Sequence, residues 1–251
     1  MQSDILSHTV VPEEARVAKD RARSFAAEQM APVAADYFDS GEYPVDVVEA
    51  AHDAGLVAQE IDAEYGGPGR SLDEIVAAVE EFFRADAGLG LGIVSQSFGT
   101  EILQEFGTEE QKEEYLRAVA EGEKRTGMAI SEPETGSDLA GMETSARLDG
   151  DEGGLNGEKY WIGNGVSGDY ITVYAKTEDT DDRHGNHSLL LVPTDAPGYE
   201  AETIPEKMAY RASEQAHIVF DDCRVPEGNL VGERGNGFKM VAEFFNTGRI
   251  R

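Results

Sequence analysis

The chain has 251 residues, of which 50 are acidic and 21 basic, giving a net charge of −29 with 40% hydrophobic residues. That length allows one large domain or two ordinary ones, each able to bury a core. So negative a chain repels nucleic-acid phosphates and anionic lipid, and no apolar run approaches the ~20 residues of a membrane span, so both drop out as partners.

The acidic residues are spread along the chain and arginine outnumbers lysine, 14 to 7, which reads as the surface of a halophile's protein, where salt screens self-repulsion. The N-terminal stretch Met1–Asp20 lacks a basic segment followed by an apolar core, so a cytoplasmic location is expected. The lone Cys223 cannot form an intramolecular disulfide, and its apolar neighbours make it a buried structural thiol.

From Pro12 to about Glu121 apolar residues recur every three or four positions, as in Ala15, Ala18, Ala22, Phe25 and Ala26, then Val45, Val48 and Ala51. This is the period of amphipathic helices. Pro44 suits a first helical turn, and Ser71 with Glu74 reads as a capping box before Ile75–Val79. Gly88-Leu89-Gly90-Leu91-Gly92 lacks the register of a nucleotide loop and follows a helical pattern, so it reads as close helix packing.

After Lys124 the period changes to short strand-like runs: Ser145–Leu148, Lys159–Ile162, Tyr170–Ala175, Ser188–Val192 and Ala216–Phe220. The acidic run Glu178–Asp182 and the pair His184 and His187 read as a solvated hairpin tip, not a metal site, since no third ligand is close. Phe238–Phe245 restores helical spacing, and the chain stops at Arg251 inside an element. The expected class is α+β, with a helical domain (1–123), a β-barrel or sandwich domain (124–236), and the first helix of a truncated C-terminal bundle (237–251).

Two segments carry chemistry. Met128-Ala129-Ile130 is an apolar strand that ends at Ser131-Glu132-Pro133, since Pro133 lacks an amide hydrogen. Thr135-Gly136-Ser137-Asp138 then offers a glycine, hydroxyls and a run of N–H groups suited to a phosphate. About two dozen residues on, Tyr160-Trp161-Ile162 leads into Gly163-Asn164-Gly165, a hairpin signal. Trp161, the only tryptophan, reads on its own as a core aromatic, and beside the first segment as a platform for a ring.

These segments, together with Phe106–Lys112, Lys207-Met208 through Arg211-Ala212-Ser213, Asp222–Pro226 and Gly235–Phe238, resemble the acyl-CoA dehydrogenases. Six blocks in the family's order carry the resemblance. It implies FAD as cofactor, an acyl-CoA thioester as substrate, an electron-transfer flavoprotein as electron acceptor and a homo-oligomer, tetramer or dimer. Met128, Ala129, Ile130 and Ser131 would meet the flavin's pyrimidine end, Gly136 and Ser137 the FAD pyrophosphate, and Trp161 with Ile162 and Gly163 the isoalloxazine. Ser137, Asn246, Thr247, Gly248 and Arg249 would contact substrate.

The family removes an α proton with a carboxylate while the β hydride passes to flavin N5. Here Gly163 stands where the family usually has a hydroxyl bonding N5, and Gly248 where a minority carry the base; most members carry it in a C-terminal domain expected beyond Arg251. No catalytic residue is therefore assigned, and Glu132 is the next carboxylate to consider. The leading expectation is an incomplete FAD-dependent dehydrogenase. The alternatives are a flavin- or acyl-CoA-binding subunit that needs a separate C-terminal partner, and a relative that oxidises another substrate.

Overall fold

The computed structural model describes residues 11–148 and 153–250; the expectations for residues 1–10 and for Arg251 lie outside the described residues. Residues 12–121 fold as helices. Helix α1, Glu13–Phe25, opens on two glutamates and ends near Arg23, charges that complement the helix dipole, and it buries Ala15, Ala22 and Phe25. Short α2, Ala34–Ser40, and α3, Val45–Asp53, follow. Within α3 the buried positions are Val47, Val48 and Ala51; Val45, expected on that face, is exposed next to the Pro44 cap.

The Ser71–Glu74 capping box forms at the start of α4, Leu72–Ala85. Phe82 of α4 is fully buried and meets Phe25 edge-on, with ring centroids 6.2 Å apart. Truncating such a residue to alanine costs about 3–5 kcal/mol, so the α1–α4 pair anchors the helical domain. Helix α5, Ala87–Val94, is capped by Asp86, whose carboxylate accepts from the Leu89 amide at 2.8 Å. Its glycines permit close packing, since a Cβ on Gly90 would come within 3.0 Å of the Phe83 ring. A 3₁₀ turn, Ser95–Ser97, leads to α6, Thr100–Phe106, and then to α7, Glu109–Gln111, and α8, Arg117–Ala120.

Eight strands follow: β1 Thr126–Ala129, β2 Ser145–Arg147, β3 Gly153–Ile162, β4 Tyr170–Lys176, β5 His187–Pro193, β6 Tyr199–Thr203, β7 Ala216–Val225 and β8 Leu230–Val231. They run in the order β6-β7-β3-β2-β4-β5-β8, with β1 parallel on β4. The sheet does not close into a barrel; of the two forms expected, the sandwich fits. Ile171, Val173 and Ala175 of β4 and Leu190 and Val192 of β5 pack with Leu155, Ile162, Ala216, Ile218 and Phe220 of β3 and β7 in one core. The alternate residues Tyr170, Tyr174, Leu189 and Leu191 join the helical domain's core. Burial on both faces explains the near-continuous apolar runs in the middle of β4 and β5.

Helix α9, Gly237–Gly248, folds back onto the helical core through Met240, Val241 and Phe244, and Phe244 meets Phe98 at 5.2 Å. The Glu178–Asp182 tip is an exposed connection between β4 and β5, as expected. His184 shares that tip and stacks on Phe238. His187 does not: it is buried in β5, with Nε2 3.0 Å from the Met142 carbonyl oxygen. Among the described residues no cluster could hold a metal ion.

Candidate functional site

The two chemistry-bearing segments meet where the chain leaving β1 is bonded to β3. Strand β1 ends at Ala129, and Ser131 crosses to β3 by two bonds: its Oγ donates to the Tyr160 carbonyl at 2.6 Å, and its carbonyl accepts from the Tyr160 amide at 2.9 Å. The hydroxyl proton of Ser131 is thus committed to the backbone, and its lone pairs alone remain for a ligand. Beyond it the loop projects outward, with Gly136 and Ser137 exposed. A Cβ on Gly136 would meet nothing within 4 Å. At the loop's tip Asp138 pairs with Arg183 at 3.2 Å, an exposed contact worth little.

Trp161 is not a core aromatic. A shift of register between Tyr160 and Ile162 breaks the β3–β7 ladder, and Trp161 adopts φ 64°, a left-handed backbone that bulky residues rarely take. The bulge turns the indole outward, leaving it 56% exposed, braced edge-on by Tyr160 at 5.4 Å. Strain of this kind persists only where the surroundings hold it and is concentrated at ligand sites.

Gly163-Asn164-Gly165 does not form the expected hairpin, because β3 pairs with β2 and β7 and the following strand β4 pairs elsewhere. Asn164 is buried at φ 57°, and its Nδ2 donates to the Ser95 carbonyl at 2.7 Å and the Thr126 carbonyl at 2.8 Å. One side chain therefore ties the helical domain, β1 and the turn after Trp161. A Cβ on Gly127 would overlap the Gly163 carbonyl oxygen, so β1 and this turn touch backbone to backbone. At Gly163 itself a Cβ would make only ordinary contacts, 3.7 Å to Gln215 and 3.9 Å to Ser95.

Asn246, Thr247, Gly248 and Arg249 lie at the end of α9. Arg249 is exposed, with its guanidinium 4.9 Å from the Phe245 ring centroid. The link from this helix end to the loop segments runs through Phe244 and Phe98 to Gly99, whose Cβ position lies 3.4 Å from Met128.

The acyl-CoA dehydrogenase N-terminal domain model matches residues 12–123 and the middle domain model residues 127–223. The chain belongs to the acyl-CoA dehydrogenase family. It is 36% identical over 238 residues to the probable acyl-CoA dehydrogenase YngJ of Bacillus subtilis strain 168, covering 94% of this chain and 63% of that protein. It superposes on butyryl-CoA dehydrogenase from Megasphaera elsdenii with a TM-score of 0.89 at 28% identity, covering 96% of this chain and 64% of that one. A glutaryl-CoA dehydrogenase from Mycobacterium smegmatis in complex with FADH2 gives 0.86 at 30% identity, covering 95% and 60%. The chain thus spans just under two thirds of the length of these acyl-CoA dehydrogenases.

The chain's own groups fit a flavin: an outward indole on a strained bulge follows Tyr160, whose backbone is bonded to Ser131 at the start of an open glycine loop. They do not offer Glu132 as a base. Its carboxylate accepts from the amides of Glu143 at 2.8 Å and Thr144 at 2.9 Å and pairs with the Lys159 ammonium at 2.9 Å. Burial works to raise its pKa, but Lys159 and these hydrogen bonds outweigh it and hold the carboxyl below the usual range. Lys159, fully buried, is pushed down to about 8 by desolvation, against the opposing pull of Glu132.

Sequence reasoning passed over Lys159, Asn164, His187 and the Ser95–Ser97 turn as parts of the site. The available signal was weak: Lys159 opens the run Tyr160-Trp161-Ile162 directly after Glu158, as an ordinary surface charge would.

Proposed function

We propose that this chain binds FAD and an acyl-CoA thioester as part of an α,β-dehydrogenase of the acyl-CoA dehydrogenase family. The observation that carries this reading is the half-exposed Trp161 indole, held at φ 64° next to Tyr160, whose backbone bonds Ser131 at the start of the open loop of Gly136 and Ser137. Met128, Ala129, Ile130 and Ser131 line the end of β1 toward the flavin's pyrimidine edge. Exposed Gly136 and Ser137 offer backbone N–H groups to the pyrophosphate, with Ser137 also toward the substrate. Trp161, Ile162 and Gly163 back the ring. Asn246, Thr247, Gly248 and Arg249 serve the acyl-CoA. FAD, when bound, supplies the acceptor for the substrate's β hydride.

Neither Gly163 nor Gly248 brings a side-chain group to that chemistry, and Glu132 is committed elsewhere. The base then comes from outside these residues, and a second reading has a separate chain supply it to the flavin and acyl-CoA held here. An electron-transfer flavoprotein as acceptor, a homo-oligomeric assembly and a salt-rich cytoplasm complete the proposal; the family resemblance supports the first two, the charge of −29 the last. Among the described residues no helix is long and apolar enough to cross a membrane.

Titration with FAD, followed by flavin fluorescence, tests the binding. Trp161→Ala should weaken it more than Trp161→Phe, because stacking area is what is lost, while both leave the thermal midpoint close to the parent's. Equal affinities in all three proteins would sink the reading. Dye reduction by acyl-CoA tests the chemistry: the 251-residue chain should be inactive, and Gly248→Glu should raise the rate toward the 10²–10⁴-fold typical of a general base. Robust turnover by the parent would overturn the account of the missing base.

A further inference from the structure

The loop that carries Gly136 and Ser137 is held at its base by a buried ion pair. The carboxylate of Glu132, at the loop's start, accepts from the amides of Glu143 and Thr144 at its end, at 2.8 and 2.9 Å. One side chain thus closes a loop from residue 132 to 144. The Lys159 ammonium, reaching from β3, binds the same carboxylate at 2.9 Å and donates to the Ile130 carbonyl at 2.8 Å. Around them the Tyr174 ring lies 5.9 Å from Lys159 Nζ, His187 stacks on Tyr174 at 4.6 Å, and His187 Nε2 bonds the Met142 carbonyl oxygen at 3.0 Å.

We propose that Glu132 and Lys159 form a latch that sets the shape of the 132–144 loop, and so act as positioning residues for the phosphate-binding N–H groups of Gly136 and Ser137. The proposal rests on the flavin reading above for its ligand, but its geometry does not. Anchoring is concentrated at the loop's two ends: Ile130, Ser131 and Glu132 on entry, and Met142, Glu143 and Thr144 on exit, are all held by bonds to or from β3, β5 or the Glu132 carboxylate. The outer stretch has an exposed pair at Asp138, a reciprocal backbone turn between Glu132 and Thr135, and a 3₁₀ turn, Leu139–Gly141, whose Leu139 rests against the helical core. A buried ammonium is costly unless it is paired, so its presence in β3 calls for a role that a neutral side chain would not fill. Three donors converging on one carboxylate is that role: a neutral amide accepts on one atom only.

The test compares Lys159→Met, Glu132→Leu, their combination and the isosteric Glu132→Gln in the full chain. Each is read three ways: thermal midpoint, hydrogen exchange of the 133–144 amides without FAD, and FAD titration. The single apolar variants orphan a buried charge and should lower the midpoint. The double variant removes both charges and should recover much of it, while the Glu143 and Thr144 amides stay unprotected and FAD binding weakens by about tenfold or more, as expected for one or two lost charge-assisted bonds. In Glu132→Gln the amide nitrogen faces the Glu143 N–H, so protection of that amide should fall even though the fold is intact. Parent-level exchange in the double variant or in Glu132→Gln, or parent-level FAD affinity in the double variant, overturns the latch. A parent chain that binds no FAD, with the exchange pattern as expected, counts against the flavin reading and supports the latch as the determinant of loop shape.

Discussion

Asn164→Ala probes the join on which the candidate site depends. The Asn164 side chain is 1% exposed and satisfies two carbonyls, Ser95 at 2.7 Å and Thr126 at 2.8 Å. Removing it takes that donor from the Thr126 carbonyl, at about 1–3 kcal/mol, and leaves the Ser95 carbonyl only the 3.3 Å bond from the Phe98 amide, at about 0.5–1.5 kcal/mol. Alanine must also hold φ 57°, a left-handed backbone that costs a residue with a Cβ about 1–2 kcal/mol and that asparagine tolerates better. The sum is about 2.5–6.5 kcal/mol, and at about 2–4 °C per kcal/mol for a chain of this size the thermal midpoint should fall by at least ~5 °C. Asn164→Gly separates the two contributions: it loses the same bonds but relieves the backbone, so it should be the more stable variant by about 1 kcal/mol. Thermal unfolding followed by circular dichroism, paired with FAD titration, reads the result. Flavin binding should fall in both variants, because the turn after Trp161 loses its tie to β1. A midpoint for Asn164→Ala within ~2 °C of the parent's would refute the reasoning.

Two further outcomes concern the thiol and the surface. Burial pushes the Cys223 thiol up to about 11 from an ordinary value of 9.0, so its folded form favours the proton. The stability linked to that neutral thiol is full below about pH 9 and is lost as pH rises toward 11. Cys223→Ala should flatten the decline in midpoint over that window, and an aromatic disulfide reagent at pH 8 should label the parent only after denaturation. With −29 net charges the midpoint should fall as salt drops from molar to ~0.1 M, since the Debye length rises from about 3 to about 10 Å. A midpoint unchanged over that range would remove the salt-adapted reading and leave the family assignment untouched.

Local chemistry decided what could be read before folding. The capping box at Ser71 and Glu74, the small residues of Gly88–Gly92, the apolar neighbours of Cys223 and the β runs through Tyr170 and Ser188 are patterns of adjacent residues, and each formed as its pattern required. The family, too, was legible, because its signature residues are contiguous. What the sequence could not show were partners brought in from afar. Asn164 followed by glycine has the local form of a hairpin turn, yet its partners are Ser95 and Thr126, 69 and 38 residues away, and they make it a buried tie. Glu132 reads as a spare carboxylate until Lys159, 27 residues on, and the loop's own far end engage both its oxygens. Trp161 on its own reads as a core aromatic; only the β-bulge, created by pairing with the distant strand β7, turns the indole outward. Composition and short-range pattern determined the elements, the charge and the family of this protein. The open sandwich, the committed carboxylate and the outward indole were decided by tertiary structure, because a side chain's hydrogen-bond partners and exposure belong to the packed chain and not to its neighbours in sequence.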